Sequence, residues 1–272
     1  MIKAYAKINL GLRIVGVQDN YHLLEMINSK ISLHDSISIS KYFKTKIVYD
    51  KLKIKKENDT LYHMVMDLKY IYPSIPNLLI KIKKKIPISA GLGGMSSDAA
   101  AILLYLNKKY DLGLSYHEMK RFLLNYGTDM CYCLHNTPCI VRGIGEKVER
   151  VNLDIPKKII LFYPIIKIET KDIYENSKKI SEPLYTKELS KLKWNELYPL
   201  LSNDLEESVQ DKYPEMKDYL ENLRKIVKEP VIMSGSGSCI IIYSSHKKLV
   251  RRLKKIYPHC VIGRCKIIDK GE

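Results

Sequence analysis

Pro87-Ile-Ser-Ala-Gly-Leu-Gly-Gly-Met-Ser-Ser-Asp-Ala-Ala-Ala101 is the stretch on which the reading of the fold turns. Gly91, Gly93 and Gly94 let the backbone take positive φ and come close to a ligand. Two small hydroxyls, Ser96 and Ser97, follow, and the pattern SSDAAAILLYLNKKY then reads at once as a helix. The free N–H groups and dipole of a helix start make an anion site. Taken alone, the segment has two readings: a phosphate cradle, or a Gly-rich turn with Ser96 as N-cap. It is not GxxxxGK[ST], because no Lys follows the glycines, nor a GxGxxG placed directly after a strand.

Working outward, LLIKIKKKIPI before the loop reads as a strand. Residues 60–72 have apolar residues at helical spacing, with Asn58, Asp59 or Thr60 as candidate caps; Pro73 and Pro76 end the helix. Residues 27–50 alternate and predict two strands joined near Tyr42–Lys46. Residues 2–15 predict a further strand, followed by a turn in VQDNYH. On the other side come a helix over 115–126 and a hairpin in CIVRGIGEKVERV. KKIILFYPI (157–165) predicts a strand that begins a second part of the chain. Helices are expected near 171–181, 186–192, 202–209 and 214–227. A strand, the turn SGSGS, the strand CIIIYSS, the helix KKLVRRLKKIY and the strand CVIGRCKII close the chain. Strands and helices mix without a regular βαβ beat, which predicts an α+β fold of two subdomains. The boundary is expected near Asn152–Pro156, giving domains 1–153 and 154–272.

Three further segments carry chemistry. Met233-Ser-Gly-Ser-Gly-Ser238 lies between apolar runs and is either a hairpin turn or a second close approach to a phosphorylated ligand. Asp129, in YGTDMCY, is set among apolar residues; it is a turn or capping Asp, or a buried carboxylate that needs a cation beside it. Lys7 interrupts the apolar strand AYAKINL, with Asn9 on the same face because side chains repeat every two residues.

The chain has 272 residues, 46% hydrophobic and 28% charged, enough to bury a core and too apolar for a disordered chain. Six Cys are too few for a disulfide scaffold. Cys131 and Cys133, with His135 nearby in sequence, lack a second pair at zinc spacing, so no direct metal site is expected. The opening MIKAYAKINLGL has no signal-peptide h-region, and no window is long and apolar enough to span a membrane. A protein of the cytoplasm is expected. The net charge of +16 is mostly Lys scattered along the chain. That fits solvated side chains from an A/T-rich coding sequence, or a field that draws an anionic partner.

In order and spacing these segments resemble the motifs of the GHMP kinase superfamily, named for galactokinase, homoserine kinase, mevalonate kinase and phosphomevalonate kinase. The likeness covers essentially the whole chain. Within the superfamily the sequence is most similar to the family whose acceptor is 4-diphosphocytidyl-2-C-methyl-D-erythritol. The stretch AKINLGLRIVGVQDNYHLLEMINSKISLHDSISI (6–39) carries that likeness, with NDTL, GTDM, GIGEKVERV, NDLE and MSGSGSC in order. The resemblance implies an N-terminal subdomain like domain 2 of ribosomal protein S5 and a ferredoxin-like C-terminal one, with the active site in the cleft between them. It implies transfer of a phosphoryl group from ATP to a hydroxyl.

By that resemblance, Asp129 takes the hydroxyl proton and Lys7 is its paired cation. Pro87, Ala90, Gly91, Leu92, Gly93, Gly94, Met95, Ser96 and Ser97 meet the ATP phosphates. Mg²⁺ is held mainly by those phosphates, with Ser96 as a candidate contact. Tyr21 and His22 meet the cytosine, Tyr174 faces Tyr21 across the ring, and Asn9, Asp98, Thr170, Ser236 and Gly237 complete the substrate contacts. Three departures stand out: Asn20 replaces a Gly before Tyr-His, Met95 replaces a small residue, and GTDMCYC replaces GADVPFF. Asn tolerates the left-handed conformation, so the turn can survive. No nucleic-acid or membrane partner is expected, and the assembly is expected to be a monomer or homodimer. The rival readings are a GHMP kinase for homoserine, mevalonate or a sugar, and a basic nucleic-acid-binding protein.

Overall fold

A computed structural model describes residues 1–19 and 21–269. The turn expected at Asn20 therefore lies outside the described residues. The chain forms two compact units, both discontinuous in sequence: unit 1 holds 1–6, 33–87 and 93–134, and unit 2 holds 7–32, 88–92 and the chain from His135 onward. This division by compactness differs in kind from a single cut at 153/154. Residues 7–32 and 135–153 group with the C-terminal residues because two long strands near the N-terminus, β1 (Ile2–Gln18) and β2 (Tyr21–Lys41), serve both units.

In unit 1, β3 (Lys46–Tyr49) runs parallel to β4 (Leu78–Lys83), and β4 pairs antiparallel with the second half of β2. The parallel pair is possible because helix α1 (Thr60–Ile71) lies in the connection between the two strands. Of the three candidate caps, Asp59 does the work: its carboxylate accepts from the N–H groups of Leu61 and Tyr62. Leu61, Met64, Val65 and Leu68 form the buried stripe of α1. Ile37, Tyr49, Leu78, Ile80 and Ile82 are apolar strand positions that are buried. Strand β4 stops at Lys83, short of the expected run through 88. The next three amides leave the ladder: Lys84 N–H donates to Asp50, and Lys85 and Ile86 N–H donate to Asp35. Helices α2 (Gly94–Lys109), α3 (Tyr116–Leu124) and α4 (Met130–Cys133) complete the unit.

In unit 2, β5 (Cys139–Gly143) and β6 (Lys147–Arg150) form the expected hairpin, and β5 pairs with the first half of β2. Next to β2 lies β10 (Val261–Ile268), then β7 (Lys158–Tyr163), β9 (Ile240–Ile242) and β8 (Val231–Met233), each antiparallel to its neighbour. β7 is buried at every position but its first, matching its unbroken apolar sequence. The helices are α5 (Thr170–Asn176), α6 (Trp194–Leu197), α7 (Leu205–Lys212), α8 (Pro214–Ile226) and α9 (Lys247–Ile256). The helix expected over 171–181 ends at Asn176; beyond it the backbone is extended, and Ser181 N–H bonds to Ile14 C=O at 2.7 Å. The expected helix at 186–192 is a short 3₁₀ turn, Lys187–Lys191. α6 has four residues, too few for its period to be visible in sequence.

Candidate active site

Unit 1 holds the second half of the Gly-rich loop. Helix α2 starts at Gly94, two residues before the Ser96 cap that the turn reading would require. Its N-cap is Gly93, in the left-handed region at φ 61°. A glycine cap brings no side-chain oxygen to the first-turn N–H groups. Those donors are left for an outside acceptor, which is what an anion site needs. Gly94, Met95 and Ser96 are half-buried, whereas Ser97 is turned inward with its Oγ 3.5 Å from Cys133 Sγ. Pro87 is half-buried at the entrance of the loop.

Asp98, expected among the substrate contacts, has a different environment. It is fully buried on α2, and its Oδ2 accepts from Lys84 Nζ at 2.7 Å. Burial pushes its carboxyl up to about 7, against the downward pull of Lys84, and the neighbouring Asp35 adds to the rise. Burial alone would lower the Lys84 ammonium, but the two carboxylates outweigh it and raise it. Asp129 is half-buried at the first position before α4, whose Met130, Cys131, Tyr132 and Cys133 are all buried. Among the described residues, no group of three His, Cys, Asp or Glu is placed to hold a metal ion.

Unit 2 holds the first half of the loop and most of the remaining expected residues. Lys7 is buried in β1 at 6% exposure, and its Nζ donates to Asn9 Oδ1 at 3.0 Å. Asn9 Nδ2 donates to Asn28 Oδ1 at 2.7 Å, and Asn9 N–H donates to Ser234 Oγ at 3.1 Å. Ser234 Oγ in turn donates to Gly91 C=O at 3.3 Å. A Cβ on Gly91 would lie 2.2 Å from Ser234 O, so only glycine fits where the loop meets the second Gly-rich turn. Lys7 N–H bonds to Leu92 C=O at 2.9 Å, and Cys239 N–H to Ala90 C=O at 3.3 Å. Lys7, Asn9, Ala90, Gly91 and Leu92 therefore form one connected polar group with the 234–238 turn.

That turn also meets the start of α5. Ser236 Oγ is 2.8 Å from Thr170 Oγ1 at the start of α5, and Gly237 sits at φ 82°. Tyr174, one helical turn on from Thr170, meets the His22 ring at 5.6 Å with a 44° tilt. Tyr21 is 64% exposed. The aromatic partner that Tyr174 meets is thus His22. Asn28 and Asn203 join this polar group without belonging to the expected site residues. Asn203 Nδ2 donates to Met233 C=O at 2.8 Å and Gly235 C=O at 2.7 Å, which shapes the turn from beneath. The signals were present: Asn28 is a polar residue inside an apolar strand, and Asn203 opens the NDLE segment.

The structure thus combines an uncapped helix start in a Gly-rich loop, a buried Lys on the first strand and a second Gly-rich turn. The sequence model of the GHMP kinases N terminal domain matches residues 59–137. A solved 4-(cytidine 5'-diphospho)-2C-methyl-D-erythritol kinase shares the fold with a TM-score of 0.79 at 24% identity, covering 97% of this chain and 98% of that one. The homoserine kinase of Cytophaga hutchinsonii shares it at 0.70 and 13% identity, covering 97% and 95%. Curated relatives are more similar in sequence. The 4-diphosphocytidyl-2-C-methyl-D-erythritol kinase of Caldanaerobacter subterraneus subsp. tengcongensis is 32% identical over 99% of this chain and 97% of its own length. The enzyme of the same name from Clostridium beijerinckii is 33% identical over 88% and 89%. The chain belongs to the 4-diphosphocytidyl-2-C-methyl-D-erythritol kinase family. It is an ATP-dependent kinase, and no helix among its described residues is long and apolar enough to cross a membrane.

Proposed function

We propose that this kinase transfers the γ-phosphoryl group of ATP to the 2-hydroxyl of 4-diphosphocytidyl-2-C-methyl-D-erythritol, with Asp129 as base and Lys7 as the cation beside the reacting groups. The observation that carries the proposal is the buried ammonium of Lys7, held by Asn9 within the polar group that reaches Gly91. Burying a cation is costly, and a task in phosphoryl transfer accounts for it, since that reaction depends on positioning and charge neutralisation. Asp129 accepts the hydroxyl proton as oxygen–phosphorus bonding develops; a cation favours the ionised carboxylate.

Residues 1–153 then carry the ATP side. The first-turn N–H groups of Gly94, Met95 and Ser96, with Gly91 and Gly93 setting the loop, hold the triphosphate. Residues 154–272 contribute Thr170, Tyr174, Ser236 and Gly237 to the acceptor. His22 and Tyr174 bound the cytosine, with Tyr21 able to cover it from its exposed position. The donor set suits a magnesium ion held by phosphate oxygens, because it offers one half-buried hydroxyl, Ser96, and no acidic cluster among the described residues. Bound Mg²⁺ neutralises phosphate charge.

The test is ADP release with Mg-ATP and, in turn, the diphosphocytidyl alcohol, homoserine, mevalonate and galactose. Turnover confined to the first supports the proposal, and turnover with another acceptor overturns the cytosine assignment. Asp129→Asn should lower kcat by about 10²–10⁴ while ATP still binds. A fully active variant would remove Asp129 from the role of base.

A further inference from the structure

Both flanks of the phosphate loop meet a buried charge cluster that phosphoryl transfer as described does not use. Asp35 on β2 and Asp98 on α2 are fully buried, and Lys84 between them is 6% exposed. Lys84 Nζ lies 2.5 Å from Asp35 Oδ2 and 2.7 Å from Asp98 Oδ2. On the upstream side the chain is clamped at three successive amides: Lys84 N–H to Asp50 at 2.8 Å, Lys85 N–H to Asp35 at 2.5 Å and Ile86 N–H to the same Asp35 oxygen at 2.9 Å. On the downstream side Asp98 sits in the second turn of α2. Its carboxylate accepts from Lys84 and lies beside Asp35. A Cβ on Gly94 would lie 3.4 Å from Lys84 Nζ and 3.2 Å from Ile86 Cγ2, so the first residue of α2 rests directly on this clamp.

Stability alone explains such a cluster poorly. Desolvating such a cluster offsets most of its internal attraction, and apolar side chains of similar volume pack as well. What charges add is a fixed relative geometry. Here the parts so fixed are the two ends of one loop, Lys84–Ile86 before it and Gly94–Asp98 after it. Backbone amides that bind phosphate work only when preset to within a fraction of an ångström.

We propose that Lys84 is a positioning residue for ATP: by joining Asp35 to Asp98 it fixes both ends of the loop and presets the first-turn amides of α2. This rests on reading the loop as the ATP phosphate site. The experiment is steady-state kinetics on Lys84→Met, Asp98→Leu, Asp98→Asn and the double variant K84M/D98L, with Gly93→Ala as a direct perturbation of the loop. Lys84→Met should raise the KM for ATP about tenfold or more, with kcat and the acceptor KM within about twofold. Asp98→Asn keeps an oxygen for the ammonium and should lose less than Asp98→Leu. The double variant should lose no more than Lys84→Met alone, because either change breaks the same link. Equal rises in both KM values, or additive losses in the double variant, would make the cluster mere packing and overturn the proposal. If Gly93→Ala raises the KM for ATP and Lys84→Met does not, the tether is wrong and the loop reading stands. If neither raises it, the loop reading falls and the tether with it. Should Lys84→Met fail to fold, the Asp98→Asn and Asp98→Leu pair decides on the same criterion.

Discussion

Asp98 is fully buried in the structure, with Lys84 as its charged partner. A sequence shows that an Asp lies near a helix start, but not that β4 ends underneath it with Lys84 pointing up. With its carboxyl near 7 in the fold against an ordinary 3.8, Asp98 keeps its proton over a pH range in which the unfolded chain has released it. Its contribution to stability is therefore fully present below about pH 4 and lost as pH rises through about 7. Asp98→Asn stays neutral throughout. Between pH 4 and 8 the parent should lose about 1–4 kcal/mol relative to that variant, read from urea midpoints at several pH values. A constant difference between the two would show that Asp98 titrates near its ordinary value. Tyr174 makes the second residue-scale case. Its ring meets His22, and a cytosine held there would lose one face of its pocket on Tyr174→Ala. The acceptor KM should rise by a factor corresponding to about 1–3 kcal/mol with the ATP KM unchanged, measured by varying each substrate. Equal rises in both would place Tyr174 in folding rather than recognition.

At the scale of elements, long runs with a clear period were legible. β1, α1, α2, α3, the β5–β6 hairpin, α8 and α9 stand within a few residues of where alternation and helical spacing put them. Boundaries set by tertiary bonds were not legible. β4 ends where Asp35 and Asp50 draw off its amides, and α5 stops short of a stretch that bonds to β1. Nor could periodicity show that β2 is one strand of 21 residues that changes partner from β5 to β10 to β4 along its length. The glycines were visible, but their separate reasons were not. Gly91 and Gly113 both have positive φ near 70°, yet a Cβ on Gly91 would strike Ser234 O at 2.2 Å while Gly113 has nothing within 4 Å. Gly113→Ala should therefore cost about 1 kcal/mol for its backbone conformation alone. Gly91→Ala should cost about 3 kcal/mol or more, because the 234–238 turn must shift as well. Chemical denaturation of both variants checks this, and equal losses would show that the turn yields freely.

At the scale of the molecule, the net charge of +16 is unevenly distributed. From Ser245 to Ile268 there are eight Lys and Arg and no acid. Six of them, Lys247, Lys248, Arg251, Arg252, Lys254 and Lys255, are exposed on α9, whose Leu253 is buried. At 100° per residue these six occupy one arc of about 160°, opposite Leu253. None of them takes part in an ion pair among the described residues. A solvated cationic face of this kind acts on anionic ligands at long range rather than by contact. Both proposed ligands are phosphorylated, so the whole-molecule field speeds their encounter when salt is low. The Debye length shortens from about 30 Å at 0.01 M to about 8 Å at 0.15 M, which removes most of that attraction. Accordingly kcat/KM should fall several-fold over that range, with kcat nearly constant. Replacing Arg251, Arg252, Lys254 and Lys255 by Gln should make the salt dependence shallower and leave kcat at 0.15 M salt unchanged, because none of the four belongs to the polar group around Lys7 or to the loop. Measuring kcat/KM against NaCl for the parent and the fourfold variant decides the point. A salt response identical to the parent's would assign the field to charges elsewhere on the chain. A loss of kcat at high salt would show that α9 touches the reaction directly.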